Sequence, residues 1–368
     1  MTVAGAVLSI APLARQLEHA IGLPARLDPA DADAIARLFA AAGLPRPRTV
    51  EDNATLSGFD KAALAALQAA PLTAAERADA RAAIGAARAS GLDGIATRRL
   101  VTSADGTVLP AVRAGTAGGA DTLLIGAPGM PIGLMAGWLR HLGRHGRVAS
   151  WETRGLFGSG AAQVTQLGID AQVADALAVM DDLGCAQGHV VGVCGGAVLA
   201  LAFAARYPHR VRSLVLWLGD FELGDLAPKT SHQRDLQALM GMVVDGKVAA
   251  AGLRDVLVAS MAHLSEPDLA PFALYPFANP ALLARYCHMN HPIMATDCRQ
   301  YAVALDLPCL VGYSPADRTT HPQGSRALAG LLDATLVEIE PCGHLAGLRG
   351  SAADMDRILA FQHAQAPR

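Results

Sequence analysis

The stretch VVGVCGGAV, residues 190–198, decides the fold of this chain. It runs from an apolar strand through a Gly-x-Cys-x-Gly turn into a helix of small residues. Such a turn strains its middle residue and requires small neighbours, and Gly192, Gly195 and Gly196 meet that need. It also exposes the middle side chain beside a helix N-terminus, which favours negative charge. We predict that Cys194 is a nucleophile; the alternative is a free cysteine that only fills the core.

Composition predicts an ordinary globular protein. The 368 residues can bury a substantial core, and the formal net charge is −3. No apolar run reaches the roughly 20 residues of a membrane helix, and no basic region precedes the apolar N-terminal stretch. Arginines are spread along the chain instead of clustered. We therefore expect a cytoplasmic protein without a membrane or nucleic-acid partner.

The six cysteines form no C-x-x-C pair, which argues against both a zinc site and a disulfide framework. His288 and His291 are close in sequence, but no carboxylate or second cluster completes a metal site around them. The sequence therefore predicts neither a metal nor a cofactor.

Hydrophobic spacing divides the chain into three parts. Residues 1–94 have helical periodicity, and Thr73 begins a capping box. These helices could form a surface that binds a partner or a second copy of the chain, giving a homodimer. The alternative is an extension that only enlarges the core. Residues 95–221 and 304–368 carry a predicted hairpin and then alternating strands and helices, which require a mostly parallel sheet covered on both faces. Residues 222–303 interrupt this pattern and predict an inserted helical cap with Phe272, Tyr275, Phe277 and Tyr286.

A thiol at such a turn needs a base and an acid from other strand ends. His344 follows the last predicted strand in a glycine-containing loop, in the chain order expected of this architecture. Two aspartates compete for the acid. Asp317 follows the next-to-last strand, and Asp220 follows the strand after the turn.

Negative charge on a tetrahedral intermediate needs fixed N–H donors. One is the N–H of Gly195, and another should come from the loop at residues 126–131, GAPGMP. Its prolines have no N–H, so the loop's candidate donors are Gly129 and Met130.

Taken together, residues 95–361 resemble the α/β-hydrolase superfamily. The segment PGMP at 128–131 stands where members commonly have His-Gly-x-Pro, and RGLFGS at 154–159 resembles their Arg-Gly-x-Gly-x-Ser turn. The resemblance implies an α/β-hydrolase fold with Met130 and Gly195 as oxyanion donors. It also implies a triad of Cys194, Asp317 and His344.

The departures from this pattern indicate a subtype. Cysteine replaces serine, and one or two extra residues separate Gly312 from Asp317. Chain-releasing thioesterases and tetramate-forming cyclases are similar in carrying the acid at the position of Asp220. Polyhydroxyalkanoate synthases resemble the chain at the turn, at Asp220-Phe221 and at 343–347, but carry a tryptophan-bearing cap motif that is absent here. Dienelactone hydrolases share the Cys-Asp-His set and are much shorter.

A thiolate that attacks a thioester exchanges one thioester for another of similar energy. We therefore expect a thioesterase, acyltransferase or cyclase acting on an acyl thioester of coenzyme A or of a carrier protein. The alternatives are an ester or lactone hydrolase, a polyhydroxyalkanoate synthase-like polymerising acyltransferase, and a catalytically silent binding module of the same fold.

Overall fold

The computed structural model describes residues 2–158, 160–261 and 266–365. Contacts divide the chain into two compact units, one of Met1–Ile95 with Val248–Leu283 and the other of Ala96–Lys247 with Ala284–Arg368. Much of the segment expected to form the cap therefore groups with the N-terminal residues. The predicted boundaries at 94/95, 221/222 and 303/304 remain a sequence-based division.

In the described residues the strands are β1 Gly22–Pro24, β2 Arg48–Val50, β3 Ala96–Thr102, β4 Val108–Ala114, β5 Thr122–Ile125, β6 Val148–Trp151, β7 Gly188–Val193, β8 Val211–Trp217, β9 Cys309–Tyr313 and β10 Thr335–Glu338. The α-helices are α1 Val3–Ala14, α2 Pro29–Ala41, α3 Gly58–Gln68, α4 Ala74–Ala78, α5 Ala80–Ser90, α6 Leu92–Ile95, α7 Ala136–Leu142, α8 Ile169–Asp182, α9 Gly195–Arg206, α10 Ser231–Val244, α11 Ala250–Ser260, α12 Ala270–Leu274, α13 Pro280–Ala295, α14 Arg299–Ala302, α15 Pro322–Leu331, α16 His344–Arg349 and α17 Ala352–Ala364.

The unit that contains the N-terminal residues is mainly helical, as predicted. Its helices bury an apolar cluster that includes Ile10, Leu38 and Phe39. The capping box of Thr73 is confirmed, because the Thr73 hydroxyl accepts from the Glu76 N–H and the Glu76 carboxylate accepts from the Thr73 N–H. The short parallel pair β1–β2 was not predicted, since three-residue strands are too short to show a period.

The other unit is built on an eight-stranded sheet in the order β10-β9-β8-β7-β5-β6-β4-β3. The hairpin predicted after Ile95 is confirmed by the antiparallel pair β3–β4, and β4 also runs antiparallel to β6. All other neighbours in this sheet are parallel. β7 is buried along its whole length, and β8 is buried except at Arg212, as expected of mainly apolar strands in the middle of a covered sheet. The carboxyl ends of the parallel strands therefore meet at one edge, where β7 ends at the predicted nucleophile.

Arg154, in the turn after β6, is fully buried and fastens that turn to the unit. Its guanidinium donates to both oxygens of Asp175, at 2.7 Å each, and to Asp105. A buried charge of this kind is stable only when it is paired. Ser159 of the same motif lies outside the described residues. Across the part of the chain that the structure describes, no helix has the length and apolar character needed to cross a membrane.

Candidate active site

Cys194 lies between the end of β7 and the start of α9, with φ 56° and ψ −128°. This left-handed backbone is uncommon for a residue with a side chain, and it marks the predicted strained turn. A Cβ on Gly196 would lie 2.4 Å from the carbonyl oxygens of Ile125 and Gly126, and one on Gly192 would lie 2.4 Å from the carbonyl oxygen of Gly196. The turn therefore requires glycine at both positions. Gly195 is less constrained, since its Cβ would approach side chains and no backbone atom, the nearest being Pro128 at 3.1 Å.

The structure brings His344 to the half-buried cysteine. His344 Nε2 lies 3.2 Å from Cys194 Sγ, although 150 residues separate them in sequence. His344 begins the short helix α16 directly after its N-cap, Gly343, where the sequence suggested a loop. This distance is within the range of a hydrogen bond to sulfur, so the imidazole is placed to accept the thiol proton.

The other ring nitrogen selects one of the two candidate acids. His344 Nδ1 lies 2.7 Å from Asp317 Oδ2, and both side chains are buried. The Thr320 hydroxyl donates to the same carboxylate oxygen, and the N–H groups of Thr319 and Thr320 donate to Oδ1. The carboxylate is therefore fixed on both oxygens, and its contact orients the imidazole ring.

A hydroxyl ties together the two loops that carry this pair. Ser314 Oγ donates to the carbonyl oxygen of Cys342 at 2.7 Å and accepts from the Cys342 N–H at 3.0 Å. The extra residues between β9 and Asp317 form a turn, closed by a hydrogen bond from the Asp317 N–H to the Ser314 carbonyl. This turn brings Asp317 within hydrogen-bond distance of His344.

The charges of Cys194, His344 and Asp317 stabilise one another. Burial opposes a charged imidazole, but the negative charges of Asp317 and Cys194 outweigh it and raise the pKa of His344 well above its usual range. Burial also opposes an ionised Asp317, but the charge of His344 and the hydrogen bonds from His344 and Thr320 lower the pKa of that carboxyl. An imidazolium is therefore stable between a carboxylate and a sulfur that can become a thiolate.

Asp220 lies in the same unit but makes a different contact. Its Oδ1 accepts a hydrogen bond from the side-chain amide of Gln233, in the first turn of α10. Burial raises the pKa of Asp220, against the lowering effects of Gln233, Lys229 and His344. The structure thus places Asp317 and not Asp220 on the imidazole.

The loop expected to supply the second oxyanion donor is held by the end of β6. The Gly129 N–H donates to Thr153 Oγ1, and the Ile132 N–H donates to Glu152 Oε2, each at 2.9 Å. Gly129, one of the two candidate donors, is therefore already engaged. The Met130 N–H makes a 3.2 Å turn bond to the Ala127 carbonyl. The other predicted donor, Gly195, begins α9, where the first N–H groups have no partner within the helix.

Helix α13 packs against the 126–131 loop and against the turn at Gly195. A Cβ on Gly129 would lie 2.6 Å from the Tyr286 ring and 3.3 Å from Met289 Cε, and one on Gly195 would lie 3.5 Å from Ile293 Cγ2. Of the four aromatic residues predicted for the cap, Tyr286 belongs to the unit of Cys194. Phe272, Tyr275 and Phe277 are buried in the other unit.

Four residues with hydrogen bonds around the site were not predicted from the sequence. Thr153 and Glu152 directly precede the Arg154-Gly155 motif, and this position next to a recognised motif could have indicated that they contact the site. Gln233 and Asn290, whose Nδ2 donates to the Tyr286 hydroxyl at 3.1 Å, gave none, because glutamine and asparagine on helices are ordinary surface residues. Their contacts depend on which helix faces the sheet edge.

The histidine pair considered for a metal makes no such site. His288 is exposed, and His291 Nδ1 lies 3.2 Å from the Gln237 carbonyl. Over the described residues, no group of three or more His, Cys, Asp or Glu side chains could hold a metal ion.

Comparison with known proteins agrees with this architecture. The family model of the alpha/beta hydrolase fold matches residues 124–351, which include Cys194, Asp317 and His344. The chain belongs to the α/β-hydrolase fold family, and the predicted fold class is confirmed.

One curated relative and two solved structures illustrate the likeness. A 2-hydroxy-6-oxo-2,4-heptadienoate hydrolase of Pseudomonas putida is 33% identical over 101 residues, 27% of this chain, and the match spans only 37% of that relative's length. The enol-lactonase of Burkholderia xenovorans is 20% identical, with 72% of this chain and 99% of that chain covered at a TM-score of 0.57. A meta-cleavage product hydrolase of Pseudomonas fluorescens is also 20% identical, with 73% and 98% covered at a TM-score of 0.56. At these identities the structures show the fold alone.

Proposed function

We propose that this protein is a hydrolase that forms a covalent acyl intermediate on Cys194. The observation that carries the proposal is the line of contacts Cys194 Sγ–His344 Nε2, 3.2 Å, and His344 Nδ1–Asp317 Oδ2, 2.7 Å. A nucleophile, a base and an orienting acid in this relation are the requirements of nucleophilic acyl transfer.

The residues act in two half-reactions. His344 takes the proton of the Cys194 thiol within the pair, the thiolate sulfur then bonds to the acyl carbon, and the carbonyl oxygen becomes an oxyanion beside the Gly195 N–H. Collapse of this intermediate breaks the bond to the leaving group, which receives the proton from His344. Water then attacks the carbonyl carbon of the acyl-cysteine and gives a proton to His344. The carbon–sulfur bond breaks, the carboxylic acid leaves, and His344 returns the proton to the sulfur of Cys194. Met130 supplies the second oxyanion donor when its N–H is released from Ala127.

Sulfur as the nucleophile favours activated acyl compounds as substrates. The intermediate expels its more stable anion, and a thiol with a pKa of about 8.5 is a better leaving group than an alkyl alcohol. A phenol or enol, with a pKa near that of tyrosine, about 10, competes far better. Enol and aryl esters or lactones are therefore the first substrate class. The enol-lactonase among the structures of the same fold is named for a substrate of this class.

Acyl thioesters are the second class, supported by the chemistry of Cys194 itself. Exchange of one thioester for another is close to neutral in free energy, so Cys194 would be acylated readily by a coenzyme A or carrier-protein thioester. With an alcohol, an amine or an internal carbanion in place of water, the same intermediate gives acyl transfer or cyclisation.

The test measures the acyl-enzyme directly. We expect the purified protein, incubated with p-nitrophenyl acetate or with an acetyl thioester of N-acetylcysteamine, to show a burst of leaving group and an intact-mass increase of one acetyl group. Peptide mapping should place the acetyl group on Cys194, and Cys194→Ala should abolish burst and adduct. Cys342→Ala is the matched control, because Cys342 is also half-buried. An adduct retained in Cys194→Ala, or none in the wild type with either substrate, would contradict the proposal.

A further inference from the structure

A small cavity lies against the 126–131 loop and the end of β6. Its lining includes Ala127, Pro128 and Met130 of the loop, together with Ser150 and Thr153. None of the three triad residues belongs to the lining, so the cavity is distinct from the site at Cys194. Its volume is about 20 Å³, and a water molecule requires about 10–15 Å³. The cavity therefore has room for one water molecule.

Ser150 brings a buried hydroxyl without a partner to this cavity. Only 1% of the residue is exposed, and its Oγ has no hydrogen-bond partner in the part of the chain that the structure describes. An enclosed hydroxyl of this kind is costly, because it has given up its hydrogen bonds to solvent. Since Ser150 lines the cavity, a molecule bound there can supply the missing partner.

The charged groups of the lining leave no place for an ion. Arg154 and Asp175 both line the cavity and are joined by two hydrogen bonds of 2.7 Å. The amide of Gln172, which also lines it, donates to the Leu167 carbonyl. A cavity of this volume whose lining charges are paired favours a small neutral molecule with hydrogen-bonding groups, which is water.

The loop offers such a water an acceptor. The Met130 N–H donates to the Ala127 carbonyl at 3.2 Å, and this bond must open before Met130 can serve as an oxyanion donor. Opening deprives the Ala127 carbonyl of that donor, which is unfavourable for a buried carbonyl. Because Ala127 also lines the cavity, a water there can donate in place of Met130.

We infer that the cavity binds one water molecule, which accepts a hydrogen bond from Ser150 Oγ and donates to the Ala127 carbonyl when the Met130 N–H leaves it. Ser150 is then a positioning residue, which acts on the oxyanion loop through the water. The positioning role rests on the proposed acyl-enzyme, whereas the water site does not.

Crystal structures of the wild type and of Ser150→Ala test the water site. We expect an ordered water in the wild-type cavity, within about 3.2 Å of Ser150 Oγ, and its loss in the alanine variant. A dry cavity in a wild-type map that resolves other buried waters would refute the site. A water that stays in place in Ser150→Ala would refute Ser150 as its anchor.

Burst kinetics with p-nitrophenyl acetate test the positioning role. Ser150→Ala should slow acylation of Cys194 about fivefold with little change in KM, because a misplaced donor matters chiefly in the transition state. The matched control is Ser213→Ala, which removes another fully buried hydroxyl of the sheet, bonded to His189, and should keep the wild-type rate.

The outcomes separate this inference from the proposed function. Wild-type acylation in Ser150→Ala, or equal losses in the two serine variants, would refute the positioning role and leave the acyl-enzyme standing. If the wild type forms no acyl-enzyme, the proposed function and the positioning role fail, while the crystal structures still decide the water site.

Discussion

Nδ1 of His344 is 2.7 Å from the carboxylate of Asp317, while the nearby Asp220 accepts its hydrogen bond from Gln233. The two aspartates follow consecutive strands, and their different hydrogen-bond partners distinguish them. The Ser314 hydroxyl ties the Asp317 loop to the His344 loop, and the first turn of α10 holds Asp220.

This difference predicts unequal effects of the two asparagine substitutions. Asp317→Asn should lower kcat/KM by about 10²- to 10⁴-fold, because the amide cannot stabilise the imidazolium that forms during attack. It should also lower the pKa of His344, measured by NMR titration of the imidazole, since the Asp317 charge is a main cause of the raised value. Asp220→Asn should leave the pKa of His344 well above its usual range. Equal losses of activity with equal pKa changes would contradict this assignment.

The oxyanion loop should depend on Thr153. Thr153→Val keeps the shape of the side chain but removes the acceptor of the Gly129 N–H. We expect kcat to fall about tenfold with a smaller change in KM, because a loosened loop misplaces donors needed chiefly in the transition state. Thr153→Ser, which keeps the hydroxyl, should restore most of kcat. An unchanged kcat in the valine variant would show that this anchor is dispensable.

The turn around Cys194 predicts a contrast between adjacent glycines. Gly196→Ala would place a Cβ 2.4 Å from two backbone oxygens and should lower the free energy of unfolding by about 2–4 kcal/mol. The methyl group of Gly195→Ala would meet only side chains, Pro128 at 3.1 Å and Ile293 at 3.5 Å, so its cost should stay below about 1 kcal/mol. Urea unfolding at neutral pH measures both. Similar costs would mean that the turn relaxes around the added methyl group.

His189 predicts an acid sensitivity of the sheet. This histidine in β7 is 1% exposed and lies 2.7 Å from Ser213 Oγ, and burial lowers its pKa to about 4. Because the folded pKa is below the unfolded value of 6.5, the stabilising contribution is complete above 6.5 and is lost as pH falls toward 4. The loss should reach about 3 kcal/mol near pH 4. In urea titrations, His189→Gln should show a correspondingly smaller fall over this range; an identical fall would exclude His189 as the cause.

The sequence by itself determined the class of the fold and made Cys194 the candidate nucleophile. Mainly apolar strands alternating with helices permit only a covered, mostly parallel sheet, and Gly192 and Gly196 are required by close backbone contacts of the turn at Cys194. His344 could also be predicted, because the segment that follows the last strand starts from the same sheet edge.

Tertiary structure alone decided which acid contacts His344 and which side chains hold the oxyanion loop. Asp220 and Asp317 both follow strands of the same edge, so their positions in the sequence are equivalent. The hydrogen bonds of the Ser314 hydroxyl and of Gln233 hold the two loops differently and so separate the two aspartates. The contacts of Thr153, Glu152 and Asn290 likewise depend on how distant segments pack, and no local period of the sequence encodes that packing.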